Sequence, residues 1–97
     1  MTVDEIVKHV KFKQGYCLHT GCSIWVGKTQ VGWVIPEHDP VRLFGPANQK
    51  CSWRVQLRKS AEQENVIHRG ARTKKAGVAD VLRNNAEVRN YIQRLIN

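Results

Sequence analysis

The chain has 97 residues, 41% hydrophobic and 25% charged, with sixteen Lys and Arg against eight Asp and Glu, a net charge of +8 and a pI near 9.9. That length fits one domain, residues 1–97, with a modest core and no separate cofactor domain, and the hydrophobic fraction excludes wholesale disorder. No apolar run approaches the roughly 20 residues that span a bilayer, so no membrane partner is expected.

The opening MTVDEIVKHV carries Asp4 and Glu5 and no apolar core, so it does not read as a signal peptide. Residues 2–10 predict a short helix. Thr2 caps it, Asp4 and Glu5 suit its positive end, and Val3, Ile6, Val7 and Val10 recur at helical spacing. Residues 23–35 are β-branched and aromatic around Gly27-Lys28, which predicts a hairpin turning there. In its second strand Val31, Trp33 and Ile35 are expected to share one face, with Pro36 closing the strand. Residues 36–50 hold all three prolines and read as loop, with a short strand at Val41–Phe44 as an option.

A second hairpin follows. Trp53, Val55 and Leu57 alternate with Arg54, Gln56 and Arg58, a half-buried strand with a basic outer face. Ser60–Glu64 is the turn and Asn65–Arg72 the return, with His68 and Arg69 on opposite faces. Thr73 caps the next helix, whose inner face is Val78, Val81 and Leu82 with Ala79 beside them. Asn84-Asn85 signals a stop and restart, although one unbroken helix over 74–96 would keep much the same apolar alignment. Val88, Tyr91, Ile92, Leu95 and Ile96 then form the best amphipathic pattern in the sequence. The fold class is therefore α+β, with an N-terminal helix, a small antiparallel sheet of two hairpins (four or five strands) and two C-terminal helices.

The charge points to a partner. Residues 1–53 carry six basic and four acidic groups, a net of +2, whereas residues 54–97 carry ten and four, a net of +6. A field of that sign on a small body suits phosphate backbones, so nucleic acid is the expected partner, DNA ahead of RNA. Arg54, Arg58, Arg69, Arg72, Lys74 and Lys75 are the expected phosphate holders. The rival from another class is a small inhibitor or adaptor docking on an acidic protein surface, and a homodimer is compatible with either.

Residues 75–95 resemble a helix-turn-helix. Ala79 matches the small residue where that motif's helices cross, Leu82 its core leucine, and Val88 and Ile92 the buried positions of its second helix. The resemblance implies that Arg89, Asn90, Gln93 and Arg94 face bases in a major groove, in a compact transcriptional regulator or DNA-architecture accessory factor. Two features depart from the pattern: Arg83 stands where glycine usually makes the turn, and the Ala79-to-Val88 interval is one residue short. A basic hairpin followed by Arg72-Thr73-Lys74-Lys75-Ala76 opening a helix also resembles the end of double-stranded-RNA-binding domains and the three-stranded arm-binding domains of integrases. In the former, that resemblance implies lysines meeting phosphates at a helix N-terminus.

Other chemistry finds little support. Cys17 and Cys22 with Cys51 and His19 or His38 would make a zinc set, but C-x₄-C is wider than the usual C-x₂-C and no second pair accompanies Cys51. Three thiols in a reducing, cytoplasmic compartment, with no metal and no cofactor, are the expected state. Gly27-Lys28-Thr29 is not a phosphate loop, because Gly21 to Gly27 encloses five residues rather than four and a strand follows. No spacing places Cys17 beside His19 or His68, and Glu37, His38 and Asp39 read as a solvated loop, so no enzyme is expected. Trp25, Trp33 and Trp53 are first of all core residues. Any of them could stack on a base, with Trp25 the best candidate because it opposes the apolar Ile24 and Val26.

Overall fold

The computed structural model describes residues 1–14, 21–37, 52–62 and 64–97. Helix α1 spans Val3–Lys8. It is capped by the Thr2 hydroxyl, which accepts from the Glu5 N–H at 3.2 Å. Five strands follow, β1 (Val10–Gln14), β2 (Cys22–Val26), β3 (Thr29–Glu37), β4 (Ser52–Arg58) and β5 (Asn65–Ala71). They form one antiparallel sheet in the order β1-β2-β3-β4-β5. Helices α2 (Lys74–Asn84) and α3 (Ala86–Ile96) complete the chain. The architecture is α+β, as the sequence predicts, with α1 ending two residues short of the predicted helix.

Both predicted hairpins form. Gly27, at φ +59°, takes the left-handed conformation in the first turn, where a residue without Cβ is unstrained. The fifth strand comes from an unexpected place. His9 stops α1, its N–H folding back onto the Ile6 carbonyl at 3.0 Å, and Val10 opens β1 instead of closing a helix. Val10 is buried and Phe12 packs on the core, while Lys11 and Lys13 are exposed, the period of a strand. The strand option at Val41–Phe44 lies outside the described residues.

Strand β3 corrects a second expectation. Ile24 pairs with Gly32 and Trp25 with Gln30, so a bulge leaves Val31 as the extra residue. Val31 is consequently buried, whereas Trp33 and Ile35 are half-buried on the opposite face. Pro36 does not end the strand, which runs to Glu37. It lies beyond the last pair with β2 (Cys22 with Val34), where β4 is the one described neighbour of β3 and a missing N–H is tolerated.

All three helices lie against the same face of the sheet. Ile6 of α1, Val78, Val81 and Leu82 of α2, and Val88 and Ile92 of α3 join Cys22, Ile24, Val26, Val31, Val34, Val55 and Leu57 in one core. Asn85 alone separates α2 from α3. Its N–H bonds the Val81 carbonyl at 2.9 Å and its side chain accepts from the Val88 N–H at 3.1 Å, so one residue ends the first helix and begins the second. No helix among the described residues is long and apolar enough to cross a membrane.

Candidate nucleic-acid interface

Because side chains alternate along a strand, burying one face of the sheet turns every second residue of five strands to the other side. The register lays these residues out in rows. One row runs Lys13, Ser23, Trp33, Gln56, Ile67 across all five strands. Beside it Lys11, Trp25 and Gln30 are paired, with Arg58 opposite Asn65 further along. On the other flank Ile35 faces Arg54, and Arg69 shares the Glu37 carboxylate with Arg54. No described element covers this face.

The face combines cations with aromatic rings. Lys13 Nζ stands 4.4 Å from the centre of the Trp25 ring, and the Arg58 guanidinium 5.6 Å from that of Trp33. The Trp25 edge is fixed from below, since its Nε1–H donates to Ser23 Oγ at 2.7 Å and that hydroxyl donates to the Lys13 carbonyl at 3.2 Å. Both indoles are half-exposed, and Ile67 is 55% exposed. Among the described residues this face holds five cations, Lys11, Lys13, Arg54, Arg58 and Arg69, and one carboxylate, that of Glu37, which lies 3.5 Å from both Arg54 Nε and Arg69 Nε. Gln30 Nε2 and Arg58 Nε are buried here with no hydrogen-bond partner among the described residues.

The predicted phosphate holders divide. Arg54, Arg58 and Arg69 share this face, whereas Arg72, Lys74 and Lys75 lie where β5 passes into α2. Arg72 and Lys75 are exposed there. Lys74 is half-buried, its ammonium 5.0 Å from the Trp53 ring and donating to Cys22 Sγ at 3.3 Å. A lysine in the first turn of a helix opposes its dipole, and here the ring and the thiol give the ammonium other partners. Thr73 caps that helix as predicted, accepting from the Ala76 N–H at 3.0 Å. Trp53 faces the helices, so the three tryptophans do not form one set.

On α3, Asn90 and Arg94 are exposed and Gln93 half-exposed. Asn90 and Arg94 border a hollow of about 400 Å³ with Lys59, Ser60, Glu87 and Tyr91. Arg89 is half-buried, and its Nη1–H donates to the Leu82 carbonyl at 3.3 Å, satisfying one of the last carbonyls of α2. His68 turns to the helix side, 3.5 Å from Asp80.

Cys22 is a buried thiol. Cys17, Cys51, His19 and His38, the remaining residues of the zinc set, lie outside the described residues, as does Asp39. Among the described residues no three His, Cys, Asp or Glu side chains gather.

Sequence reasoning missed Lys11 and Lys13, and the clustering of Trp25 with Trp33. The signal was present in Val10-Lys11-Phe12-Lys13, whose strict alternation marks a strand with a basic outer face. Compared with known protein families, curated proteins and solved structures, the chain has no match.

Proposed function

We propose that this protein binds nucleic acid through the open face of its sheet, in a non-enzymatic role. The observation that carries the reading is the gathering, among the described residues, of five cations, one carboxylate and two half-exposed indoles on the face opposite the helices. Cations attract the phosphates and release their counterions, while flat rings offer contact to bases of any identity. An acidic protein surface would use the cations but has less need of the rings.

Duplex DNA read by α3 is the competing proposal. Asn90, Gln93 and Arg94 are available on that helix for base edges. Three features favour the sheet instead. Arg89 is engaged by the Leu82 carbonyl, Glu87 opposes phosphates on the same helix, and α2 meets α3 through a single residue rather than a turn of three or four.

Affinity measured over a salt series separates the two. With three to five phosphate contacts, log Kd against log salt has a slope of magnitude roughly 2 to 5. The pair Arg54→Ala and Arg58→Ala is expected to flatten it by one to two units, at about one per lost contact. Asn90→Ala with Gln93→Ala is expected to leave both affinity and slope nearly unchanged. Loss of site preference in the α3 pair alone would transfer the interface to that helix. Absence of binding to any nucleic acid at low salt would remove the proposal.

A further inference from the structure

The sheet face carries two kinds of contact that a duplex cannot use together. In a duplex the flat sides of the bases are stacked on one another, so a ring on a protein surface meets only phosphates, sugars and groove edges. In a single strand the base planes are free to stack on indoles. Trp25 and Trp33 are diagonal neighbours, because Trp33 pairs with Ser23 and Trp25 lies two residues along the same strand from Ser23. In a regular ladder such neighbours stand about 7–8 Å apart, within reach of large aromatic side chains. Lys11 and Lys13 flank them on β1, and Arg54 and Arg58 on β4, so cations border the rings on both sides.

Resting on the reading of this face as a nucleic-acid surface, we infer that its ligand is a single strand whose bases stack on Trp25 and Trp33. In the free protein the two rings carry Lys13 and Arg58 above them. On binding, the Lys13 ammonium leaves the Trp25 ring for a phosphate and a base takes its place. The Arg58 guanidinium, 5.6 Å from the Trp33 ring centre, likewise turns to a phosphate and yields that ring to the next base. Ile67, exposed beyond Gln56 in the Trp33 row, extends the apolar floor for the next sugar or base. Ser23 holds the Trp25 edge, so the platform exists before the ligand arrives.

The test measures the affinity of the full chain for a short oligothymidylate, a short oligouridylate and a duplex of matched length at one salt concentration. Either single strand is expected to bind about tenfold or more tighter than the duplex, and the better of the two identifies the preferred sugar. Intrinsic tryptophan fluorescence of the unmodified protein should fall on titration with the single strand. Trp25→Ala and Trp33→Ala should each weaken single-strand binding by about fivefold or more while leaving duplex binding and the salt slope in place. Trp25→Leu, which keeps apolar bulk without a π face, should share the loss, and Trp25→Phe should recover part of it. Circular dichroism confirms that each variant is folded. Duplex binding as tight as single-strand binding, or stacking variants that lose nothing, would overturn the inference and leave the nucleic-acid reading intact. Failure of all three ligands to bind would overturn both.

Discussion

Glu37 stands between two of the cations that charge the sheet face. Its carboxylate offers Arg54 and Arg69 what a phosphate would offer, from 3.5 Å and at partly exposed positions. Surface pairs of this kind are worth about 0–1 kcal/mol, so they yield readily to a ligand. Glu37→Gln is therefore expected to tighten nucleic-acid binding and steepen the salt slope by about one unit, with little change in melting temperature. Anisotropy titrations check this, and weaker binding would show that the carboxylate serves the site rather than competing with it. The exchange at Trp25 follows similar reasoning. A cation over an exposed ring contributes about 0.5–1 kcal/mol, whereas a stacked base contributes about 1–3 kcal/mol, so the base displaces Lys13. The outward turn of Trp25 was legible because Ile24 and Val26 beside it are plainly apolar. The burial of Val31 was not, since a bulge adds a residue to one strand and reverses the alternation that the sequence displays. Arg89 was read as free for the same kind of reason: periodicity shows the side of a helix, not the Leu82 carbonyl waiting near it.

Among the elements, the α2–α3 joint was legible in Asn84-Asn85, although the apolar spacing alone also allowed one unbroken helix over 74–96. Asn85 serves both helices, and its side chain holds the Val88 N–H. Asn85→Ala should cost about 1 kcal/mol, seen as a lower melting temperature with the same fold. An unchanged melt would mean that the cap contributes nothing net. Gly77 is the less obvious case, because glycine weakens a helix by about 1 kcal/mol relative to alanine. Here a Cβ would lie 2.5 Å from Val55 Cγ2 and 2.9 Å from Ala71 Cβ, so the glycine lets α2 sit directly on β4 and β5. Gly77→Ala is accordingly expected to lower stability by about 1 kcal/mol or more in chemical denaturation, its better propensity notwithstanding. A stabilised variant would contradict that packing. Strand β1 escaped notice because Val3, Ile6, Val7 and Val10 prolong a helical spacing across the residue where the chain changes course. Local pattern does not reveal that β2 leaves an edge for β1 to pair with.

At the scale of the whole molecule, function follows from layering. Three helices bury one side of a five-stranded sheet, and the other side inherits whatever the strands alternate with. The excess of charge in residues 54–97 was evident from the sequence, yet it gave only part of the face. Lys11 and Lys13 come from the nearly neutral half and reach Arg54 and Arg58 through the sheet order. The same excess includes Lys74, which the Trp53 ring and the Cys22 thiol hold at the helix side, so net charge overstates what a ligand meets.

The central claim, that the sheet face is the nucleic-acid surface, is tested most directly by a ¹H–¹⁵N correlation titration of the unmodified protein with an oligonucleotide. The indole N–H signals of Trp25 and Trp33 and the amides of Lys11, Lys13, Arg54, Gln56, Arg58 and Arg69 should move together with increasing ligand, while those of Asn90, Gln93 and Arg94 stay in place. Shifts gathered on α3 with the sheet signals unmoved, or no shifts at low salt, would contradict it.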